Sequence, residues 1–305
     1  MEVRGKRGEY PYLPHMLGHE GSGIAMKIGS GVSKIRPGDK VILVWIKGKG
    51  MDVPGTKYRK VDIPINAGGV TTFSDYAVVS ENHGVKLPEG IALDEAVLFG
   101  CTIPTGAGIV MNRIKPKLGS TLAMFGLGGI GLSALIATGF YRCSKIIAVD
   151  VEDENLRLAT ELGATHTVNA RLEDPLEAIY RITEGKGVDY RIESSGLIKT
   201  IEQAFQSVKK FGGLCVFASH PRFGEKIELD PNELISGKRI EGSWGGSTYP
   251  DDDIPMLAEL HRKKPLLLRR LLSHKYALEQ INQALDDLEN RKIVRALIEM
   301  DDGKF

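Results

Sequence analysis

The stretch Ser120–Asp150, STLAMFGLGGIGLSALIATGFYRCSKIIAVD, limits the possible folds more than any other part of the chain. Thr121–Phe125 is a short apolar run, the pattern of a strand buried on both faces of a parallel sheet. It enters Gly126-Leu127-Gly128-Gly129-Ile130-Gly131, a G-x-G-x-x-G that opens an apolar helix reaching Phe140. A second strand, Lys145–Val149, then ends on Asp150. Each residue type has a physical reason. Gly126 permits the tight turn, Gly128 lets backbone approach a pyrophosphate, and Gly131 lets helix and strand pack closely. The helix N-terminus offers N–H groups and the positive end of a dipole to phosphates. Asp150, placed about twenty residues beyond the glycines, can accept ribose hydroxyls. A G-x-G-x-x-G alone is a weak signal. With a strand before it, a helix after it and an acid closing the next strand, it implies a dinucleotide site for nicotinamide or flavin.

The length of 305 residues is enough for two domains with a sizeable core. Forty basic residues face 39 acidic ones, which argues against nucleic acid or an anionic membrane as partner. Three cysteines without regular spacing do not make a disulfide framework and suit a reducing cytoplasm. No apolar stretch is long enough to span a bilayer, and Met1–Arg7 lacks the apolar core of a signal peptide. A cytoplasmic location is the expectation.

Short strands separated by Pro/Gly turns, including Lys40–Val44, Phe73–Val79 and Val85–Leu87, suggest a small all-β barrel before the fingerprint. Ile46–Val70, rich in glycine and lysine, reads as a long exposed loop. From Thr121 strands and helices alternate. Six strands, at Thr121–Phe125, Lys145–Val149, Thr165–Val168, Val188–Glu193, Gly213–Ala218 and Arg239–Gly242, predict a complete doubly wound parallel sheet. After Gly246 the alternation stops. Helices near Pro255–Lys263 and Leu278–Asn290 and a strand Ile293–Glu299 are too few for a domain, so the segment is expected to return to the first one.

Taken alone, His19 in Gly18-His19-Glu20 is a hydrogen-bonded histidine beside a turn, Glu20 is a solvated carboxylate, and Cys101 is a small buried hydrophobe. Taken together, LGHEGSGIAMKIGSGVSKIRPGDKVI, FGCTIPTGAGIV and the fingerprint resemble the zinc-dependent alcohol dehydrogenases of the medium-chain dehydrogenase/reductase superfamily. The resemblance covers nearly the whole chain in motif order. It implies an α/β fold in which a Rossmann domain joins a GroES-like β-barrel catalytic domain. The boundaries expected are 1–102 (GroES-like), 103–245 (Rossmann) and 246–305 (returning to the catalytic domain). It also implies that His19 and Cys101 are zinc ligands, that Glu20 is the adjacent carboxylate able to exchange onto the metal, and that Thr105 packs against the nicotinamide. Cys143 and Cys215 read as core. Arg295 resembles a C-terminal arginine that reaches the pyrophosphate; its plain alternative is a solvated charge on an edge strand. Ser195, in Ser194-Ser195-Gly196, should line the crevice at the end of the fourth strand. Relatives pair through the last Rossmann strand, so the resemblance implies a homo-oligomer, with Arg239–Trp244 equivalent to the pairing segment.

Two departures stand out. A catalytic zinc of this type takes three protein ligands, by resemblance Cys–His–Cys, with water in the fourth place. Met1–Gly18 contains no cysteine and no Cys-x-Ser/Thr-Asp motif, so the first thiolate, the proton-relay hydroxyl and the opening barrel strands are all missing. The expectation is a shortened, incomplete barrel whose one catalytic zinc is weakly held. Relatives with a structural zinc carry four close cysteines after the Val44-Trp45 position, whereas Ile46–Val70 has none. For the cofactor, Glu152, Asp153 and Glu154 follow Asp150 and would repel a 2′-phosphate, and no Arg or Lys occupies the next few positions, which favours NAD over NADP. The reading is an NAD-dependent oxidoreductase acting on a small alcohol/aldehyde pair. The alternatives are a zinc-free enone or quinone reductase of the same superfamily, or a non-catalytic NAD-binding protein with a decayed metal site.

Overall fold

The six strands expected after Ser120 form one parallel sheet in the computed structural model, which describes residues 5, 13–263, 271–272 and 274–300. They are β1 (Thr121–Phe125), β2 (Lys145–Asp150), β3 (His166–Asn169), β4 (Tyr190–Glu193), β5 (Leu214–Phe217) and β6 (Arg239–Gly242), in the order β6-β5-β4-β1-β2-β3. The order reverses between β1 and β4, which is the arrangement of a Rossmann sheet and opens a crevice beyond their carboxyl ends. The connecting helices are α1 (Gly129–Ala137), α2 (Asp153–Glu161), α3 (Pro175–Ile182), α4 (Ile198–Ser207) and α5 (Pro231–Ile235). Asp174 and Asp230 cap α3 and α5 by accepting N–H bonds from the first turn, with proline at the following position. One face of the sheet, with Ala123, Phe125, Ile147, Val149, Val168 and Cys215, packs on Ala178 and Ile179 of α3 and Ala204 and Phe205 of α4. Each large apolar side chain so buried contributes about 1.5–3 kcal/mol.

A charged residue lies inside this apolar face. Arg191 of β4 is fully buried, with its guanidinium carbon 3.0 Å from the centroid of the Phe125 ring and Nη1 donating to Ser207 Oγ at 3.2 Å. Burial holds its pKa well below the ordinary arginine value, and the carboxylate of Glu193 on the same strand opposes that shift. Burial also pushes the Cys215 thiol up to about 12, so it is not a nucleophile at neutral pH. Cys143 is only half-buried, at the surface end of the α1–β2 connection rather than in the core.

The chain forms two compact units, one built on Thr105–Ser247 and one on Pro11–Pro104 with Thr248–Phe305. The second holds a three-stranded antiparallel sheet of Glu20–Ile24, Lys40–Val44 and Gly84–Lys86, and a smaller sheet of His15–Met16, Ile63–Ala67 and Tyr58–Lys60. Two parallel strands, His274–Ala277 and Ala296–Glu299, belong to the same unit. Helices Pro250–Lys263 and Ile281–Glu289 complete its C-terminal part. Among the described residues no single helix is long and apolar enough to cross a membrane.

Two expectations for the chain before the fingerprint need correction, and one stretch there is regular without having been expected. Phe73–Val79 is not a strand; Thr72 and Phe73 instead donate backbone bonds to Leu17 O, which ties the segment to the approach to His19. Residues 97–114, not anticipated as regular structure, are helical in three successive pieces. Leu98, Phe99, Ile109 and Val110 are fully buried there, and a helix apolar all round carries no 3.6-residue stripe to read. The Ile46–Val70 segment is exposed but not structureless: Tyr58–Lys60 and Ile63–Ala67 pair as a hairpin. Before the hairpin, Glu81 gathers the backbone N–H groups of Ser33 and Lys34 (both 2.6 Å) and Met51 (2.8 Å). Ser80 adds bonds to Met51 O and from Val53 N.

Those bonds favour the ionised form of Glu81 and lower its pKa from 4.5 to about 2. A depressed carboxylate pKa contributes stability that is fully present above the ordinary value and is lost as pH falls through the folded one. Glu81→Gln, which presents an NH2 to one of these donors, is therefore expected to destabilise the chain at neutral pH. It should also flatten the loss of stability between about pH 4.5 and 2. Urea midpoints measured against pH for both proteins test this; parallel curves would contradict it.

Candidate active site

In the unit that holds the parallel sheet, the glycines of the fingerprint take up a tight turn against the helix start. Gly126 lies at φ +82°, in the left-handed region that favours glycine. A Cβ on Gly131 would stand 1.9 Å from Gly126 O, so helix and turn touch only because no side chain intervenes. A Cβ on Gly128, by contrast, would meet no atom within 4 Å. It would fill the open cradle above the first turn of α1, whose N-cap has no side-chain hydrogen bond. Uncapped N–H groups beside open space suit a pyrophosphate. Leu127 is fully buried, while Gly128 is exposed and Gly129 and Ile130 are half-buried at the helix start.

Asp150 faces the same place. Its Oδ2 accepts the Leu127 N–H at 2.6 Å, and its Oδ1 accepts those of Val151 and Glu152 at 2.8 and 2.9 Å. The carboxylate is thus oriented by both the glycine turn and the turn after β2. Across the crevice from β1, Ser194 Oγ donates to Gly126 O at 2.8 Å, and Ser195 is exposed. The Ser195 hydroxyl bonds to Glu193, whose Oε1 also accepts from Ser195 N–H (2.8 Å), Gly196 N–H (3.0 Å) and Thr200 Oγ (2.9 Å). Glu193, which sequence reasoning did not single out, therefore holds the wall of the crevice in place. Thr105 is buried in the helix Thr102–Gly108.

In the other unit, His19 Nε2 lies 3.3 Å from Cys101 Sγ, 82 positions apart in sequence. Two glycines make this approach possible. Gly18 has φ +86°, and a Cβ there would lie 2.5 Å from Thr72 Oγ1. A Cβ on Gly100 would lie 2.6 Å from Leu43 O and 2.7 Å from Glu20 Cβ. Two ligands of a tetrahedral zinc, at about 2.0–2.1 Å for nitrogen and 2.3 Å for sulfur, stand about 3.5 Å apart. The imidazole and thiol therefore fit zinc in kind and in spacing, as two donors of the three a catalytic site uses. Among the described residues no group of three or more His, Cys, Asp or Glu is placed to hold a metal.

Glu20, expected as a further ligand, is turned elsewhere: one carboxylate oxygen forms an ion pair with Arg295, and the other accepts from Thr102 N–H and Oγ1, both at 3.3 Å. Arg295 is accordingly not a solvated edge charge, since it is paired with Glu20. It precedes the strand Ala296–Glu299, and desolvation lowers its pKa to about 10, which leaves it charged at neutral pH.

The comparisons with known proteins bear on this pair of sites. The model described as "Alcohol dehydrogenase GroES-like domain" matches residues 1–89, and that described as "Zinc-binding dehydrogenase" matches 128–262. Alcohol dehydrogenase 2 of Zea mays is 30% identical over 324 residues, covering 97% of this chain and 85% of that protein. The chain belongs to the zinc-type alcohol dehydrogenase family of the medium-chain dehydrogenases/reductases. Among solved structures, benzyl alcohol dehydrogenase from Acinetobacter calcoaceticus is similar at TM-score 0.87 and 32% identity, over 98% of this chain and 87% of that one. An alcohol dehydrogenase zinc-binding domain protein from Burkholderia ambifaria is similar at 0.86 and 33%, over 95% and 85%. A Rossmann-type sheet with a GroES-like domain is the architecture of this family, and the chain is an oxidoreductase.

Proposed function

We propose that this family member oxidises small alcohols to aldehydes, or runs the reverse reaction, with NAD as its nucleotide and a single zinc at His19 and Cys101. The observation that carries the reading is the 3.3 Å approach of the His19 imidazole to the Cys101 thiol. A zinc-free reductase has no need of that pair. When bound, NAD supplies the hydride acceptor, and zinc supplies Lewis acidity that lowers the pKa of the alcohol hydroxyl.

The chain's own residues have separate tasks. The first turn of α1 and the bare backbone at Gly128 receive the pyrophosphate, and Asp150 accepts the ribose hydroxyls. Glu193 keeps Ser195 and Gly196 at the crevice wall. Thr105, by resemblance, packs against the nicotinamide. His19 and Cys101 hold the metal, while Glu20 and Arg295 neutralise each other beside them. Among the described residues His19 and Cys101 are the two donors brought together there. The Rossmann edge strand β6 and the exposed Trp244 beyond it are the surface through which copies pair in this reading.

The test is NADH formation from NAD over a panel of primary and secondary alcohols, with zinc added and with zinc chelated. Zinc-dependent turnover is expected, with at most one zinc retained per chain, because the Ile46–Val70 segment offers no thiolates. Two tightly held zincs, or NADPH-dependent enone reduction indifferent to chelation, would contradict the reading.

A further inference from the structure

The acidic run after β2 argued for NAD because it lacks a nearby cation in sequence. The fold brings one there. β2 and β3 pair with Asp150 opposite Asn169, and Ala170 N–H donates to Asp150 O at 2.9 Å. The chain then turns, with Arg171 N–H on Asn169 Oδ1 at 2.9 Å and Leu172 N–H on Asn169 O at 3.0 Å. Arg171 thus stands at the same carboxyl edge of the sheet as Asp150, although 21 positions separate them. Its guanidinium Nη2 donates to Glu152 Oε1 at 2.5 Å, and Glu152 is two residues past Asp150. The next acid, Asp153, accepts from Asn169 Nδ2 at 2.6 Å. The rim of the ribose corner is therefore a small network in which an arginine is already engaged by a carboxylate.

We propose that Glu152 is a specificity residue: by engaging Arg171 it withholds from the ribose corner a guanidinium that would otherwise meet the 2′-phosphate of NADP. Arginine is the side chain best suited to that phosphate, because its planar donors match the oxygens bidentately. Asp150 disfavours NADP by its own charge, and the Glu152–Arg171 pair disfavours it by occupying the cation. Both partners are more than a third exposed, so the pair biases Arg171 rather than locking it. Freeing the arginine should therefore change selectivity by a modest factor while Asp150 remains. The inference rests on the reading of Gly126–Asp150 as a dinucleotide site.

The experiment titrates NADH and NADPH by fluorescence into the full chain and into Glu152→Gln, Arg171→Ala and the double variant, at low and at high salt. Glu152→Gln is expected to shift the NADPH-to-NADH affinity ratio toward NADPH by about fivefold, an effect of the size of one exposed ion pair. The shift should shrink at high salt, and in Glu152→Gln/Arg171→Ala it should fall to the smaller part that comes from losing the charge of Glu152 itself. Arg171→Ala alone should leave the wild-type ratio in place. A gain undiminished by removal of Arg171 would overturn the proposal, since Glu152 would then act only through its own charge; so would the absence of any gain. If the wild-type chain binds neither nucleotide, the dinucleotide reading itself fails. That result is distinct from binding with an unchanged ratio.

Discussion

Replacing Gly131 with valine is expected to abolish dinucleotide binding and to destabilise the chain by about 3 kcal/mol or more. The new Cβ would stand 1.9 Å from Gly126 O and 3.0 Å from Ser194 Oγ, and the first of these is backbone that cannot swing aside. Either α1 lifts from β1 or the turn at Gly126 deforms, and each outcome spoils the phosphate cradle. Gly128→Val separates folding from function. Gly128 has φ −75° and ψ −165°, which any residue adopts, and its Cβ direction is open. That variant should melt within a few degrees of the wild type yet lose NADH binding, because its side chain fills the place of the pyrophosphate. Thermal melts paired with NADH fluorescence titrations check both. NADH binding by Gly128→Val as tight as wild type would contradict the cradle.

The second large effect is expected at Cys101. Losses of groups behind metal ligands cost about 10–100-fold in metal affinity or activity, so removing one of two identified donors should cost more than about 100-fold. Cys101→Ser and His19→Ala are each expected to strip zinc and to remove alcohol oxidation while leaving NADH binding in place, since the fingerprint lies in the other unit. Glu20→Gln should behave differently. Its carboxylate is paired with Arg295, so the variant should keep its zinc affinity within about tenfold. Its expected defect is lower stability, from leaving a partly desolvated guanidinium without its counter-charge.

These expectations divide between what local sequence carries and what it does not. The six Rossmann strands and the glycine turn follow from local pattern: apolar runs of strand length, Gly at the turn, an acid at the strand end. Even so, helix and strand ends moved by a residue or two, as at β3, which starts at His166 rather than Thr165. The pairing of His19 with Cys101 came from family resemblance, because nothing in spacing predicts a contact across 82 positions. The relations that were missed are long-range ones. Glu81 reaches back to Met51 and Ser33, Arg295 returns to Glu20, and Arg171 arrives beside Glu152 through strand pairing. In each case a polar side chain satisfies a partner chosen by the tertiary fold, so neither periodicity nor propensity announces it. Phe73–Val79 failed as a strand for the opposite reason. Its alternation suits a sheet, but its neighbouring backbone is bonded to Leu17 instead of to a strand.

The claim on which the functional account turns is that His19 and Cys101 together hold the metal. Cobalt(II) titrated into the zinc-free chain reports it directly, since a cobalt–thiolate bond has its own charge-transfer absorption. The account predicts a thiolate band that is absent in Cys101→Ser, weakened in His19→Ala and unchanged in Cys143→Ser. A band that survives in Cys101→Ser and disappears in Cys143→Ser would contradict it.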